Sequence, residues 1–459
     1  MQTFDRSIVD GPLASAVWKL AWPTMLQNVI AGLQGIIDHA MVGHYVGYTS
    51  NAAIGVSWQI FLVVIVFIAS LYSGMGVLVA RFTGACEPEK VNRVVQQAFL
   101  TSMFLSVVLA IAGYVLAPYL LDVVRAAPDV KGAALPFLRT MFVGNLGMLV
   151  FFMLGGAFRA AGDARTPLRL GIAATVLNAA FNVLLIPRYG AFGAALGTVT
   201  ANLIIAGIGN AMVLSGRCVI RVPRPLSVAP DWAIIRSIFK FGLPTGLQGI
   251  AMNVAGVLLL RFIGSLDFSA AAQAAYAVGY TQLFSLITWT SVGLMSATAT
   301  IAGQNLGAGK PERSIEGAWV AARIGLGVAA VVGLAFVAVP STLLGVFGMR
   351  EPHVLEIGGQ LLRYLTVSGF FVTVALVYNG ALQGTGDTKS PFYISLVSQI
   401  VVPLSFCAVM DAMHGLRASD IWTAIVIGHV MRCTLGVLRF RQGKWRHIKV
   451  DLEAPPAGA

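Results

Sequence analysis

The chain alternates long apolar stretches with short polar ones, and the apolar stretches are too long and too frequent for a soluble core. Runs such as 60–71, 99–116 and 324–339 sit inside windows able to cross about 30 Å of hydrocarbon as helices of about 20 residues. Windows bounded by charge, Pro or Gly clusters predict spans at 16–41, 53–79, 97–121, 134–157, 167–187, 191–214, 234–263, 271–303, 318–347, 358–384, 391–411 and 420–438. The expectation is an all-α integral membrane protein with twelve transmembrane helices. The longest basic, Pro-containing connection is SGRCVIRVPRPLSVAPDW at 215–232, between the sixth and seventh windows. It predicts an N-terminal lobe (1–214, helices 1–6), a linker (215–232), a C-terminal lobe (233–441, helices 7–12) and a cytoplasmic tail (442–459).

An internal repeat supports that division. WKLAWPTMLQ at 18–27 matches FKFGLPTGLQ at 239–248, TGACEPEK at 83–90 matches LGAGKPER at 306–313, and GGAFRAAGDARTP at 155–167 matches NGALQGTGDTKSP at 379–391. The three pairs keep a nearly constant offset of about 220 residues, which is the signature of duplication. Six spans per copy return each copy to the same side of the membrane. The repeats then share one orientation and relate by an axis along the membrane normal, forming two pseudo-symmetric lobes around a cleft.

Composition agrees with this pattern. Of 459 residues, 57% are hydrophobic and 11% charged, against about 25% charged in soluble chains. A net charge of +12 raises nucleic acid as a partner. No basic run interleaved with aromatics on a soluble domain supports that reading. Most of the 31 Lys and Arg instead fall in segments on one side of the expected topology, which by the positive-inside rule puts both termini in the cytoplasm of a bacterial inner membrane. The four cysteines form no CxxC and no zinc spacing, so no metal site is signalled. The N-terminus lacks a basic region, an apolar core and a cleavage site, and reads as a cytoplasmic cap.

Candidate chemistry is sparse. Of 19 acidic residues, Asp38 is the exception that falls inside a span. A carboxylate in hydrocarbon costs at least about 2.5–3.5 kcal/mol, so it is expected to face a cavity and to serve function. Burial favours its protonated form and a bound cation favours its charged form, the two pulls that ion coupling needs. The competing reading is a carboxylate that snorkels to the outer interface. Gln34, one turn before Asp38, is a candidate substrate contact. Asn178 and Asn182 lie one turn apart on one face of the fifth span, and Thr198 lies in the sixth. Ordinary interhelical hydrogen bonding is the plain alternative for these three. Pro23, fifteen residues before Asp38, removes a backbone bond and kinks the first span, as a hinge or as a fixed bend. His39 points about 100° away from Asp38 around the helix. His429 and Arg432, in the last span, are read as packing against neighbours or snorkelling. Asp163 and Asp387 precede Pro-started helices and are expected to cap them.

These residues resemble the MATE (multidrug and toxic compound extrusion) family. The resemblance rests on PTMLQNVIAGLQGIIDHAMVG, GACEPEK with its second copy GQNLGAGKPER, RAAGDARTPL leading into LNAAFNVLLIP, GAFGAALGTVTAN, QGTGDTKSPF and RFRQGKW. It covers essentially the whole chain and is closer to the DNA-damage-inducible-protein-F-like branch than to the NorM-like branch. It implies a secondary antiporter that exports amphipathic, cationic drugs or metabolites against H⁺ or Na⁺, with no cofactor. Asp38, Asn178, Asn182 and Thr198 are then the cation-coupling set of the N-terminal lobe, with Asn182 standing where many members of that branch carry a second Asp. Na⁺ at this set is the one metal ion the resemblance allows. The C-terminal Glu and Asp of the NorM-like pattern fall here at Met252 and Val372, so coupling is expected in the N-terminal lobe alone. The expected partners are small organic substrates and the lipid bilayer, and the expected state is a monomer. A flippase for a lipid-linked saccharide would share the architecture but call for a basic cavity. A membrane-embedded enzyme would need paired carboxylates, HExxH or a nucleophile elbow, and none is present. A channel fits the repeats and the lone acid less well than alternating access does.

Overall fold

A computed structural model describes residues 4–45, 48–124, 126–216, 218–221 and 229–450, without the side chains of 36–40, 42–44, 48–51 and 63. Its elements in chain order are α1 (Ser7–Asp10), α2 (Leu13–Tyr45), α3 (Tyr48–Gly84), α4 (Pro88–Val123), α5 (Pro128–Val143), α6 (Asn145–Ala160), α7 (Arg165–Leu214), α8 (Trp232–Gly264), α9 (Ser269–Tyr276), α10 (Ser285–Gly307), α11 (Pro311–Ala338), α12 (Pro340–Val346), α13 (Pro352–Thr385), α14 (Lys389–Leu396), α15 (Val402–His414) and α16 (Ala418–Arg441). Wider π-helical turns at Ala277–Leu283 and Val397–Val401 join α9 to α10 and α14 to α15. Every apolar window expected from the sequence overlaps one of these helices.

Among the described residues, nine helices are long and apolar enough to cross a membrane, or ten if α5 and α6, bent by 49°, form one span. One difference from the expected twelve is physical. The fifth and sixth windows run together in α7, 50 residues long, which drawn straight would measure about 75 Å, more than twice the hydrocarbon thickness. It is not straight. Asn178 and Thr198 would stand about 30 Å apart along a continuous helix, yet Asn178 Nδ2 donates to Thr198 Oγ1 at 3.1 Å. The chain reverses at Gly190, whose backbone (φ 61°, ψ −136°) is the sole non-helical point in α7. A side chain is disfavoured at such positive φ, so glycine there lets two antiparallel helices meet with a one-residue break.

The structure divides into two compact units, one built on Leu26–Gly246 and the other on Ser7–Met25 with Leu247–Ile448. Both divisions fall two residues past a proline, Pro23 in α2 and Pro244 in α8. In the first unit, the start of α8 crosses α3 through small residues. A Cβ added at Gly74 would lie 1.8 Å from the Ile238 carbonyl oxygen, and one at Gly242 would lie 1.8 Å from that of Ser70. Ser70/Gly74 and Gly242/Gly246 are the small-xxx-small pairs that let helices approach backbone to backbone. The end of the linker is fixed to α4. Gln97 donates to the Ala229 carbonyl at 2.9 Å and accepts from the Asp231 amide at 3.0 Å, and Arg93 pairs with Asp231 at 2.6 Å.

In the second unit, Leu259, Ile287, Leu361, Leu365, Val372 and Trp422 belong to one apolar cluster. Ser7–Met25 belongs to this unit. Asn305 donates to the Ile8 carbonyl at 3.4 Å, Arg313 to that of Gly11 at 2.6 Å, and Lys310 pairs with Asp10 at 2.6 Å.

Candidate functional site

The repeat motif GD-x-[RK]-[TS]-P builds the same turn twice. Gly162 and Gly386 both sit at φ 97°, and the Asp that follows each receives the first amides of the next helix. Asp163 Oδ1 accepts from the Arg165 and Thr166 amides at 3.0 Å each, and Asp387 Oδ1 accepts from the Ser390 amide at 3.3 Å. These bonds satisfy donors that a helix start otherwise leaves open. The copies differ in one partner. Asp387 also takes Nε and Nη2 of Arg439 at 2.9 and 2.8 Å.

With α7 started at Arg165 and reversed at Gly190, its two arms bring Asn178, Asn182 and Thr198 together. Asn178 Oδ1 accepts from Gln34 Nε2 at 2.9 Å and from Asn182 Nδ2 at 3.2 Å, while its own Nδ2 reaches Thr198. Thr175 Oγ1 donates to Gln34 Oε1 at 2.9 Å, and Asn202 Nδ2 donates to the Thr198 carbonyl at 2.8 Å. Asn178 and Asn182 are buried. Asn182 Oδ1 lies 2.4 Å from where a Cβ on Gly197 would sit, so the approach of the arms depends on that glycine. The network thus unites four residues singled out from the sequence: Gln34, Asn178, Asn182 and Thr198. Pro23 is buried in α2, on the other side of the unit division from this network. Asp38 stands four residues after Gln34 in α2, and its side chain, like that of His39, lies outside the described residues.

The network forms one wall of a cavity of about 260 Å³ within the first unit. Gln27, Gln34, Arg159, Gly171, Thr175, Asn178, Thr198 and Asn202 give it polar lining, and Trp58, Met148, Phe151 and Phe152 give it apolar lining. Aromatic and Met surfaces with a few fixed polar groups suit an amphipathic organic guest. Arg159 Nη1 donates to Gln27 Oε1 at 2.8 Å, and its guanidinium lies over the Tyr72 ring at 5.4 Å. A Cβ on Gly171 would lie 3.0 Å from Gln27 Nε2, so this glycine leaves the room that the Gln27 amide uses.

Gln27, Arg159, Thr175 and Asn202 were not marked by the sequence reading. The available signal was the repeat itself. Gln27 matches Gln248, Arg159 matches Gln383, and Gly171 falls opposite Ser395 at the same offset.

In the second unit the same places are joined differently. Gln383 Nε2 donates to Gln248 Oε1 at 3.2 Å, and Gln248 Nε2 donates to Ser395 Oγ at 2.6 Å. Val372 is packed in the apolar cluster, and Met252 is partly exposed. His429 and Arg432 are buried, with His429 stacked on Phe284 at 5.9 Å. Among the described residues no group of three or more His, Cys, Asp or Glu could hold a metal ion.

Comparison with known proteins places this architecture. The chain is 28% identical to the probable multidrug resistance protein NorM of Thermotoga maritima, covering 93% of this chain and 92% of that protein. It is 26% identical to the probable multidrug resistance protein YpnP of Bacillus subtilis, covering 99% of this chain and 100% of that protein. Its fold is similar to the outward-facing conformation of a multidrug resistance MATE family transporter of the MOP superfamily. That match has a TM-score of 0.91 at 20% identity and covers 98% of this chain and 100% of the other. The MatE family model matches residues 23–184 and 244–409, one stretch starting at each of the paired prolines, and the chain belongs to the MatE family.

Proposed function

We propose that this chain is a multidrug efflux transporter working as a secondary antiporter. It exports amphipathic, cationic drugs or metabolites in exchange for H⁺ or Na⁺, and coupling runs through the N-terminal lobe. The observation that carries this reading is the hydrogen-bonded set Gln34–Asn178–Asn182–Thr198 on the wall of a cavity of about 260 Å³ with aromatic lining. The names of the relatives point to drug resistance, and the family is one of transporters. Asp38, one turn beyond Gln34, supplies the carboxylate. Protonated, it is a neutral donor to amide oxygens. Ionised, it joins Asn and Thr oxygens that a small cation can share. A guest in the cavity and an ion at this set would compete for the same amides, and that competition is the coupling. Lobes at 1–214 and 233–441, with both termini in the cytoplasm of a bacterial inner membrane, belong to the same reading.

One observation favours a second reading. The charged side chain among the described lining residues is Arg159, which suits the anionic headgroup of a lipid-linked saccharide and hence a flippase. The deciding experiment is efflux of a fluorescent cationic dye from proteoliposomes carrying wild type or Asp38→Asn, under a pH gradient and then a Na⁺ gradient. The antiporter reading expects export by wild type down one gradient, which names the ion, and none by the variant. Equal export by both removes Asp38 from coupling. If neither moves dye, the flippase reading takes over.

A further inference from the structure

The second unit buries a positive charge that has no ion-pair partner among the described residues. Arg432 lies near the middle of α16 and is 6% exposed. Among the described residues it makes no hydrogen bond and no ion pair. An isolated guanidinium in an apolar surround is held at a penalty of several kcal/mol unless something pairs with it. Arginines near helix ends reduce that penalty by reaching the interface, which a residue so deep and so enclosed does not do. Its side chain instead lines a small cavity of about 10 Å³ with Asn379, Ser395, Leu382, Pro391 and Gly436. That is room for one guest of about the size of a water molecule.

The polar neighbours in the cavity also have unused capacity. Ser395 Oγ is buried and accepts from Gln248 Nε2 at 2.6 Å, which leaves its own O–H to donate elsewhere. Asn379 Oδ1 is buried with no hydrogen-bond partner, and its Nδ2 has only the Met295 sulfur at 3.6 Å. A guanidinium and a hydroxyl hydrogen thus converge on the cavity, and neither has an anionic partner among the described residues.

We propose that Arg432 and Ser395 form a binding site in the C-terminal unit for a single negative charge: a free monovalent anion such as chloride, or the carboxylate of a bound organic substrate. The site lies apart from the N-terminal cavity and does not depend on the antiporter reading. If the charge comes from substrate, the transporter selects zwitterionic amphiphiles as well as cations. If it comes from solution, ambient anion fixes α14 and α16 together.

The test uses purified full-length protein in detergent and two readouts. Thermal unfolding is followed as chloride replaces gluconate at constant ionic strength, for wild type, Arg432→Gln and Arg432→Lys. Binding of a rhodamine bearing a free carboxylate is compared with that of its methyl ester by fluorescence anisotropy on the same proteins. A saturable rise of the wild-type midpoint with chloride, absent in Arg432→Gln and weakened in Arg432→Lys, identifies a free anion. Binding at least tenfold tighter for the acid than for the ester in wild type, and equal in Arg432→Gln, identifies a substrate carboxylate. Wild type and Arg432→Gln responding alike in both arms overturns the proposal, because the cavity then holds only water. The dye-efflux experiment can fail without touching either arm.

Discussion

The two sequence repeats share a frame and divide their chemistry. At the motif offsets, Gln34 and Asp38 of α2 fall on Ala255 and Leu259 of α8, and Asn178 and Asn182 of α7 fall on Val402 and Phe406 of α15. Leu259 belongs to the apolar cluster of the second unit and Phe406 packs against it, so the second copy fills with hydrocarbon the place where the first holds amides. Two turns nearer the paired prolines the copies agree again. Gln27 and Gln248 each accept a hydrogen bond from position 159 or 383. Two substitutions there accompany a large cavity in one copy and a small one in the other. Arg159 stands against Gln383, and Gly171 against Ser395, whose hydroxyl ties down the Gln248 amide. Arg159 and Gly171 line a cavity of about 260 Å³, and Ser395 lines one of about 10 Å³. Duplication preserved the turns and helix crossings, and polarity was free to diverge wherever a copy was not required to open.

The comparison can be broken at its turns first. Asp387→Ala removes a largely buried carboxylate from Arg439 as well as the Ser390 bonds, and its loss is expected to cost about 3 kcal/mol. Asp163→Ala removes only local bonds and should cost about 1 kcal/mol. Unfolding midpoints of the two variants in detergent check the ordering, and equal losses would show that the arginine adds nothing.

Next in size is Gln248→Ala, which strands Gln383 and Ser395 in a buried site and should destabilise by about 1–3 kcal/mol. The same unfolding assay reads it. Gly171→Ser converts the first copy toward the second. Its Cβ meets Gln27 at 3.0 Å, and dye efflux is expected to fall about tenfold, equivalent to about 1.4 kcal/mol, with little loss of folded protein. Efflux at the wild-type rate would mean that the Gly/Ser difference does not set the opening. The smallest effect belongs to Arg159→Gln, which copies the residue of the second repeat. A neutral donor replaces a charged one on Gln27, so stability should drop by less than about 1 kcal/mol, whereas Arg159→Ala should drop further in the same assay.

Much of this was legible in the sequence, and the reasons differ by residue. Asn178 and Asn182 stood out because two amides at i, i+4 in an apolar run share a face, and the structure joins them directly. Gln34 was visible from its one-turn spacing to Asp38. Thr198 was placed by resemblance, and its bond to Asn178 depends on the reversal at Gly190, which the gap between the 167–187 and 191–214 windows brackets. Arg159 falls just past the 134–157 window among the charges of the loops, and hydropathy does not separate a charge beside a helix end from one turned into a cavity. Gly171 carries its information as absence of a side chain, which becomes a signal only beside Ser395. The windows at 167–187 and 191–214 correspond to the two arms of α7, with Gly190 in the gap between them.

The membership of Ser7–Met25 in the second unit has a consequence for how the protein is made. This segment leaves the ribosome before the residues that hold Ile8, Asp10 and Gly11, which lie 297, 300 and 302 positions later in the chain. At synthesis rates of about 5–20 residues per second, their arrival takes about 15–60 s. Throughout that interval the bonds to Ile8, Asp10 and Gly11 are unmade, so the later helices must receive a piece of chain that has waited for them. A fusion that detains this segment would leave the second unit incomplete even with every one of its own helices inserted.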